Sequence, residues 1–368
     1  MEKLPLSFLS TGSGSTDFSF PDLLGTHRTP LRMPDEIVEE IFLCVPPNDH
    51  ECLLCAALVS KRWARLLASC GFHHRYHERH RTPLLLGFLG NHLIDNSGYA
   101  CFIPTRAFRS AWPDHRDYRA HDARHGRILL NRITRGRYLL LRDQPVRNWT
   151  AAVLCTTIND GACNKLGCYP GHFCVVFIGI DDKEIFVSVY SSDSAAQLTY
   201  DHLNWEVLPA LAGNTLYFIF ERGITMLKYN LATRDMSLIP LPATPFFRRI
   251  VPMAMDDGGL GLAEVDMQSN LILWSIEIGP DGNAGGWVLS RDIELKTLLH
   301  AHALVLFVVA IADAVGVVFM YTVDGTYTID LKSWQGTKVF SYSCYDIIPF
   351  VSFYTPGDGL WSRPMLDI

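Results

Sequence analysis

Apolar and polar positions follow two different rhythms along the chain. From residue 34 to about residue 80 the spacing is helical. Ile37, Val38, Ile41, Phe42 and Val45 draw an apolar stripe down one face. Pro34-Asp35-Glu36 starts that helix, with two acids at the positive end of its dipole, and Pro46-Pro47 stops it. Asn48 or Asp49 can cap a second helix carrying Cys52, Leu53, Ala56, Ala57 and Leu58. Ser60 can cap a third, with Trp63, Leu66 and Leu67 facing inward and Lys61, Arg62 and Arg65 outward. Gly71 is expected to end it, and Phe72 to His80 to form a short polar last helix. Such a bundle has too little core to be very stable alone, so it calls for a partner or a neighbouring domain.

From about Thr82 the helical period gives way to short apolar runs separated by Gly, Asp, Asn and Pro. They are Leu84–Leu89, Arg127–Leu130, Tyr138–Leu141, Phe173–Ile180, Ile185–Tyr190, Leu216–Phe220, Ile224–Leu231, Leu271–Ile278, Leu304–Ile311 and Val315–Tyr321. This predicts an all-β region with tight turns. Strand ends of similar composition recur at VYSSDS, YNLAT, SIEIG and TIDLKS. Aligning Ser191, Asn230, Glu277 and Asp330 gives steps of 39, 47 and 53 residues. These bracket one four-stranded propeller blade, so residues 83–368 are expected to form a propeller of about six blades, with a β-sandwich pair as the rival. The expected fold class is therefore α+β: a leader without order over residues 1–30, helices over 31–82, and an all-β domain over 83–368.

Ala301 to Val323 is apolar for long enough to span a bilayer. Asp313 at its centre and its many β-branched residues instead predict a buried hairpin turning at Ala312-Asp313-Ala314. With no secretory signal read at the N-terminus, the expected location is the cytoplasm, the nucleus or both. Ten cysteines at irregular spacing, too sparse for a disulfide scaffold, read as buried thiols of a reducing compartment.

Net charge is -6, but residues 1–150 carry +5 and residues 151–368 carry -11. The excess in the first half centres on 106–147, where 11 arginines stand among Phe108, Trp112, Tyr118 and Tyr138. Arginine with aromatics can bind nucleic acid. The favoured role is pairing with acidic groups of this chain or of a protein.

Catalytic motifs are absent from the sequence: no GxSxG, no phosphate loop, no HExxH and no dinucleotide fingerprint. His73, His77 and His80 could share one helical face, but Arg75, Arg79 and Arg81 oppose a cation there. Cys52 and Cys55 have the spacing of a redox pair or of half a zinc site, but they fall mid-helix and are expected to be buried. Cys155, Cys163, Cys168, Cys174 and His172 are loosely spaced across a strand-loop-strand. No metal or cofactor is expected.

Met33-Pro34-Asp35-Glu36, Val45-Pro46 and Leu58-Val59-Ser60-Lys61-Arg62-Trp63 together resemble an F-box. The run from Gly71 to Leu89, GFHHRYHERHRTPLLLGFL, is similar to plant F-box proteins, especially those of grasses. Met33 replaces the usual Leu, and Phe42-Leu43-Cys44 is an unusual end to the first helix; neither removes the apolar stripe. The resemblance covers residues 31–90. It implies a non-catalytic substrate receptor of an SCF-type cullin-RING ubiquitin ligase, in which the F-box docks on a Skp adaptor and the β domain captures a protein target. By motif position Pro34, Ile37, Ile41, Leu58, Val59, Lys61 and Trp63 would face the adaptor. Ile41 and Trp63 could equally hold the bundle together. The alternatives are a propeller-like scaffold capped by its helices, and a propeller hydrolase using channel carboxylates.

Overall fold

The computed structural model describes residues 33–367 apart from 95–96, 106–117, 125–126, 133–138, 142–143, 147, 156–172, 181–184, 192–194, 200–206, 220–224, 243–248, 279–283, 300–305 and 354–365. The expected leader, Cys163, Cys168, His172 and most of the arginine belt lie outside the described residues.

Four helices open the chain: α1 (Asp35–Leu43), α2 (His50–Val59), α3 (Lys61–Leu67) and α4 (Cys70–His80). Pro34 is the N-cap of α1, with Asp35 and Glu36 in its first turn. Ser60 and Ser69 each cap a helix by accepting a backbone N–H, from Trp63 and Phe72 respectively. The third helix ends at Leu67, so Gly71 lies in the first turn of α4 rather than ending its predecessor. Val38, Phe42, Leu43, Leu53, Ala56, Leu67, Phe72 and Tyr76 form the core of the bundle.

Strands follow in order: β1 (Leu84–Ile94), β2 (Ser97–Pro104), β3 (Tyr118–Arg124), β4 (Arg127–Arg132), β5 (Leu139–Leu141) and β6 (Gln144–Val146). Then come β7 (Asn148–Cys155), β8 (Phe173–Ile180), β9 (Ile185–Ser191) and β10 (Ala195–Thr199), one antiparallel four-stranded sheet. The next is β11 (Ala210–Ala212), β12 (Thr215–Ile219), β13 (Thr225–Asn230) and β14 (Met236–Pro240). A third is β15 (Val251–Ala254), β16 (Leu260–Val265), β17 (Asn270–Ile278) and β18 (Ala284–Glu294), followed by the short α5 (Leu295–Leu299). The fourth is β19 (Leu306–Ala312), β20 (Val317–Thr322), β21 (Gly325–Asp330) and β22 (Gln335–Phe340). Finally β23 (Ile347–Ser352) pairs antiparallel with β1, which pairs with β2, closing the ring with the two ends of the domain.

These five all-antiparallel sheets are the blades, which corrects the expected count of about six to five. The segment that would have supplied the sixth departs from the pattern. There β3 pairs with β4, β24 (Leu366–Asp367) joins β4 in parallel, and β5 with β6 forms a separate hairpin.

The aligned strand ends fall on equivalent places: β9, β13, β17 and β21 are each the third strand of a blade. Two of the aligned residues also perform the same task. Asn230 Oδ1 accepts the N–H groups of Ala232 and Thr233 at 2.9 and 3.1 Å, and Asp330 Oδ1 those of Lys332 and Ser333 at 2.8 and 2.7 Å. In both turns a residue four positions on, Arg234 or Trp334, takes positive φ.

The hairpin expected between Ala301 and Val323 is β19 and β20, turning at residues 313–316. As the two inner strands of a blade they meet neighbours on both faces, which is why the segment is apolar throughout instead of alternating. No described helix is long and apolar enough to cross a membrane.

Helices and blades meet at Phe353, one residue beyond β23 and fully buried in the helical core. Its ring stacks on His77 at 4.3 Å and meets Tyr76 edge-on at 6.1 Å. The phenol of Tyr76 donates to the carbonyl of Val45, and burial pushes its pKa up. Phe353→Ala removes an aromatic ring from a filled site, and an unfolding titration should show a loss of about 3–5 kcal/mol. Phe353→Leu should cost clearly less.

Candidate docking surface

Helix α1 is split lengthwise: Val38, Phe42 and Leu43 turn inward while Ile37 and Ile41 are each 51% exposed. Met33, just ahead of the helix, is also exposed. At the end of α2, Leu53 and Ala56 fill the core, whereas Leu58 is 87% and Val59 68% exposed. Exposed Leu, Val and Ile in one small module form apolar surface that the described residues leave uncovered.

Arg62 brings the two pieces together. Its guanidinium pairs with Asp35 at 2.7 Å and donates to the Met33 carbonyl at 2.8 Å, tying the start of α1 to the corner between α2 and α3. Pro34 and Lys61 are exposed at that junction. Trp63 behaves differently: it is half-buried and meets Phe42 edge-on at 5.4 Å, so it belongs chiefly to the bundle. Ile41 lies on the free face.

Sequence reasoning missed Met33 as a surface residue, having noted it only as a departure from a motif. It also overlooked Arg62 as the tie.

The thiols contradict the expectation of burial. Cys44, Cys52, Cys55 and Cys70 are exposed, and no disulfide is formed among the eight described cysteines. The buried positions of α2 are His50, Leu53 and Ala56, and Cys52 and Cys55 fall on the other side. Cys155 and Cys344 are buried, and burial pushes the Cys344 thiol up to about 12.

Three of the four α4 histidines are engaged within the bundle, while His74 is exposed beside Glu78. His73 Nε2 lies 2.8 Å from the Leu67 carbonyl, His80 Nε2 lies 2.9 Å from that of Leu43, and His77 is buried on Phe353. Among the described residues no group of three His, Cys, Asp or Glu is placed to hold a metal.

Arg119, Arg124 and Arg127 of the 106–147 belt are engaged within the fold. Arg119 pairs with Asp346 at 2.6 Å, and Arg124 with the buried Asp122 at 3.0 Å and with the Pro209 carbonyl. Arg127 is buried over the Phe173 ring. Asp122 also accepts the Val153 N–H; desolvation raises its pKa, against the opposing pull of Arg124. A cavity of about 290 Å³ beside β3, β11, β15, β19 and β23 is lined by Asp122, Arg124, Asp256 and Asp313 with apolar neighbours. Its most buried carboxylate is thus already engaged by the fold.

Residues 30–75 match the F-box domain family, and residues 176–357 match a family described as the F-box protein AT5G49610-like beta-propeller. Together these matches support an F-box protein with a β-propeller. No curated protein matches the chain. Among solved structures, the extracellular domain of the putative one component system BT4673 from B. thetaiotaomicron is 12% identical with a TM-score of 0.31. It aligns with 70% of this chain, which spans only 28% of its length. The Cps50 (Swd1) beta-propeller domain of Myceliophteria thermophila is 9% identical, with TM-score 0.34 over 72% of this chain and 83% of that one. A mutant apocarotenoid oxygenase of Synechocystis is 10% identical, with TM-score 0.36 over 73% and 79%. Likenesses this distant say nothing of what the chain binds.

Thiol accessibility offers a direct check of the helical surface. Under native conditions a maleimide should label Cys44, Cys52, Cys55 and Cys70 rapidly, whereas Cys155 and Cys344 should react only on unfolding, as read by peptide mass spectrometry.

Proposed function

We propose that this chain is the substrate-recognition subunit of an SCF-type cullin-RING ubiquitin ligase, docking a Skp-type adaptor through its helices and a target protein through its propeller. The observation that carries this reading is the exposure of Ile37, Ile41, Leu58 and Val59 on the segment that matches an F-box. Pro34 and Lys61 border that surface and are assigned to the same contact, Trp63 to its support. Cullin and RING subunits would be reached through the adaptor. The chain itself makes and breaks no bond in this role. It raises the concentration of a bound target beside the ubiquitin-charged enzyme, which would place it in the cytoplasm, the nucleus or both.

Physical chemistry supports a protein partner over a simple cap. Helices serving only to cap the propeller would bury their apolar residues against it, and the joint at Phe353 uses α4 and the inward face of the bundle instead. The outward residues are left for something else. Fully burying a Leu, Ile or Val is worth about 1.5–3 kcal/mol, enough for four of them to anchor a small interface.

The test is co-purification of the full-length chain with a Skp adaptor, since Phe353 makes the isolated helices an incomplete module. Ile41→Arg combined with Leu58→Arg should weaken binding by at least about a hundredfold while the unfolding midpoint stays unchanged. Undiminished capture by the double variant, or no capture by the parent chain, would leave the scaffold reading in its place.

A further inference from the structure

The propeller carries a second apolar surface that the adaptor reading does not use. Strand β23 runs from Ile347 to Ser352, and its far end enters the helical core through Phe353. Six residues of strand span about 17–20 Å, so the segment that precedes β23 lies on the opposite face of the propeller from the helices. There Tyr345 is 51% exposed and stacks on Tyr321 at 4.0 Å. Phe307 approaches both rings, at 6.1 Å from Tyr321 and 6.3 Å from Tyr345. Tyr342 is 71% exposed and meets Phe340 edge-on at 5.5 Å. Val323, in the hairpin between β20 and β21, and Met267, in the corresponding hairpin of the preceding blade, are also exposed.

The charges on this rim narrow what could sit there. Two of its described cations are committed to acids, Lys338 to Asp324 at 3.3 Å and Arg119 to Asp346, while Arg249 also acts on neighbouring Cys344. Asp324 is further held by the hydroxyls of Thr322 and Tyr327, which with Lys338 lower its pKa to about 2. Asp266 beside Met267 accepts from Asn270. Residues 151–368 carry -11 in all. Tyrosine faces are themselves electronegative, and a guanidinium stacks on them while donating to nearby carboxylates.

We propose that the rim of the β19–β22 blade bearing Tyr321, Tyr342 and Tyr345 is a docking surface for a basic, arginine-bearing segment of a protein. This deepens the receptor reading by giving the class of target sequence, and it rests on that reading only in assigning the segment to a target. The peptide contact itself needs no adaptor. Aromatic stacking selects the planar cation, the -11 half of the chain draws it in, and the position opposite the helices leaves both surfaces free at once.

The full-length chain is titrated against fluorescein-labelled dodecapeptides of alternating glycine and arginine, glycine and glutamate, and of proline alone, with anisotropy as the readout. Saturable binding of the arginine peptide is expected, weakened at least about fivefold by Tyr345→Ala and by Tyr342→Ala and retained in Tyr345→Phe, which keeps the ring. The unfolding midpoint of each variant guards against a folding defect, and Tyr342, the more exposed ring, keeps the test open should Tyr345→Ala unfold. Equal binding of the glutamate or proline peptide overturns the proposal, as does parental affinity in both alanine variants. Adaptor capture is measured on the same proteins: its loss with intact peptide binding refutes only the ligase reading, and the reverse refutes only this one.

Discussion

One aromatic ring couples the two halves of the molecule. Phe353 follows the strand that closes the propeller, yet its side chain is fully buried among residues of α1 to α4. Closing the ring requires β23 to pair with β1, and seating the helices requires β23 to end where Phe353 can reach His77 and Tyr76. Ring closure and helix docking are therefore consequences of the same strand. A bundle of this size has little core of its own, and it borrows one ring from a residue some 270 positions away in the chain.

That borrowing explains which faces of the helices stay open. With α4 and the interior of the bundle engaged on the propeller side, the remaining surface is the outer row of α1 and the corner between α2 and α3. Arg62 holds those pieces in register by grasping Asp35 and the Met33 carbonyl, so the apolar groups are presented on a fixed frame. A surface already ordered loses less conformational entropy when a partner covers it. Leu58 and Val59 at the end of α2 are the most exposed of these residues, and no described residue buries this aliphatic pair.

How much of this was legible follows from the range of the interactions involved. Local ones were: the Ser60 cap, the helical stripe of α1 and the ten apolar runs, each of which overlaps a strand, depend on neighbours a few residues away. The aligned Asn230 and Asp330 carried a real turn device because a side chain accepting N–H groups two and three residues on leaves a fixed spacing. What failed needed distant partners. His77 reads as polar in its own helix and is buried only because Phe353 arrives from the other end of the chain. Cys52 and Cys55 were assigned inward because α2 is apolar nearly all round, so its pattern does not reveal which side faces the core. The blade count failed because length predicts how many blades could fit, while the parallel β24 and the separate β5–β6 hairpin show strands spent otherwise.

Rigidity at the joint has a consequence for the proposed role. A receptor joined to its helices by a flexible linker would let a captured target sample a large volume, and its effective concentration at a fixed reacting group would fall as that volume grew. Here the path from the α1 row to the opposite propeller face runs through packed side chains, from Phe42 and Tyr76 to Phe353 and along β23 to Ile347. No described segment between those points is a loop free to swing. A target held at the Tyr345 rim would sit at a set distance and angle from whatever occupies Ile41 and Leu58, so the geometry of transfer would be decided by the fold of this chain before either partner binds.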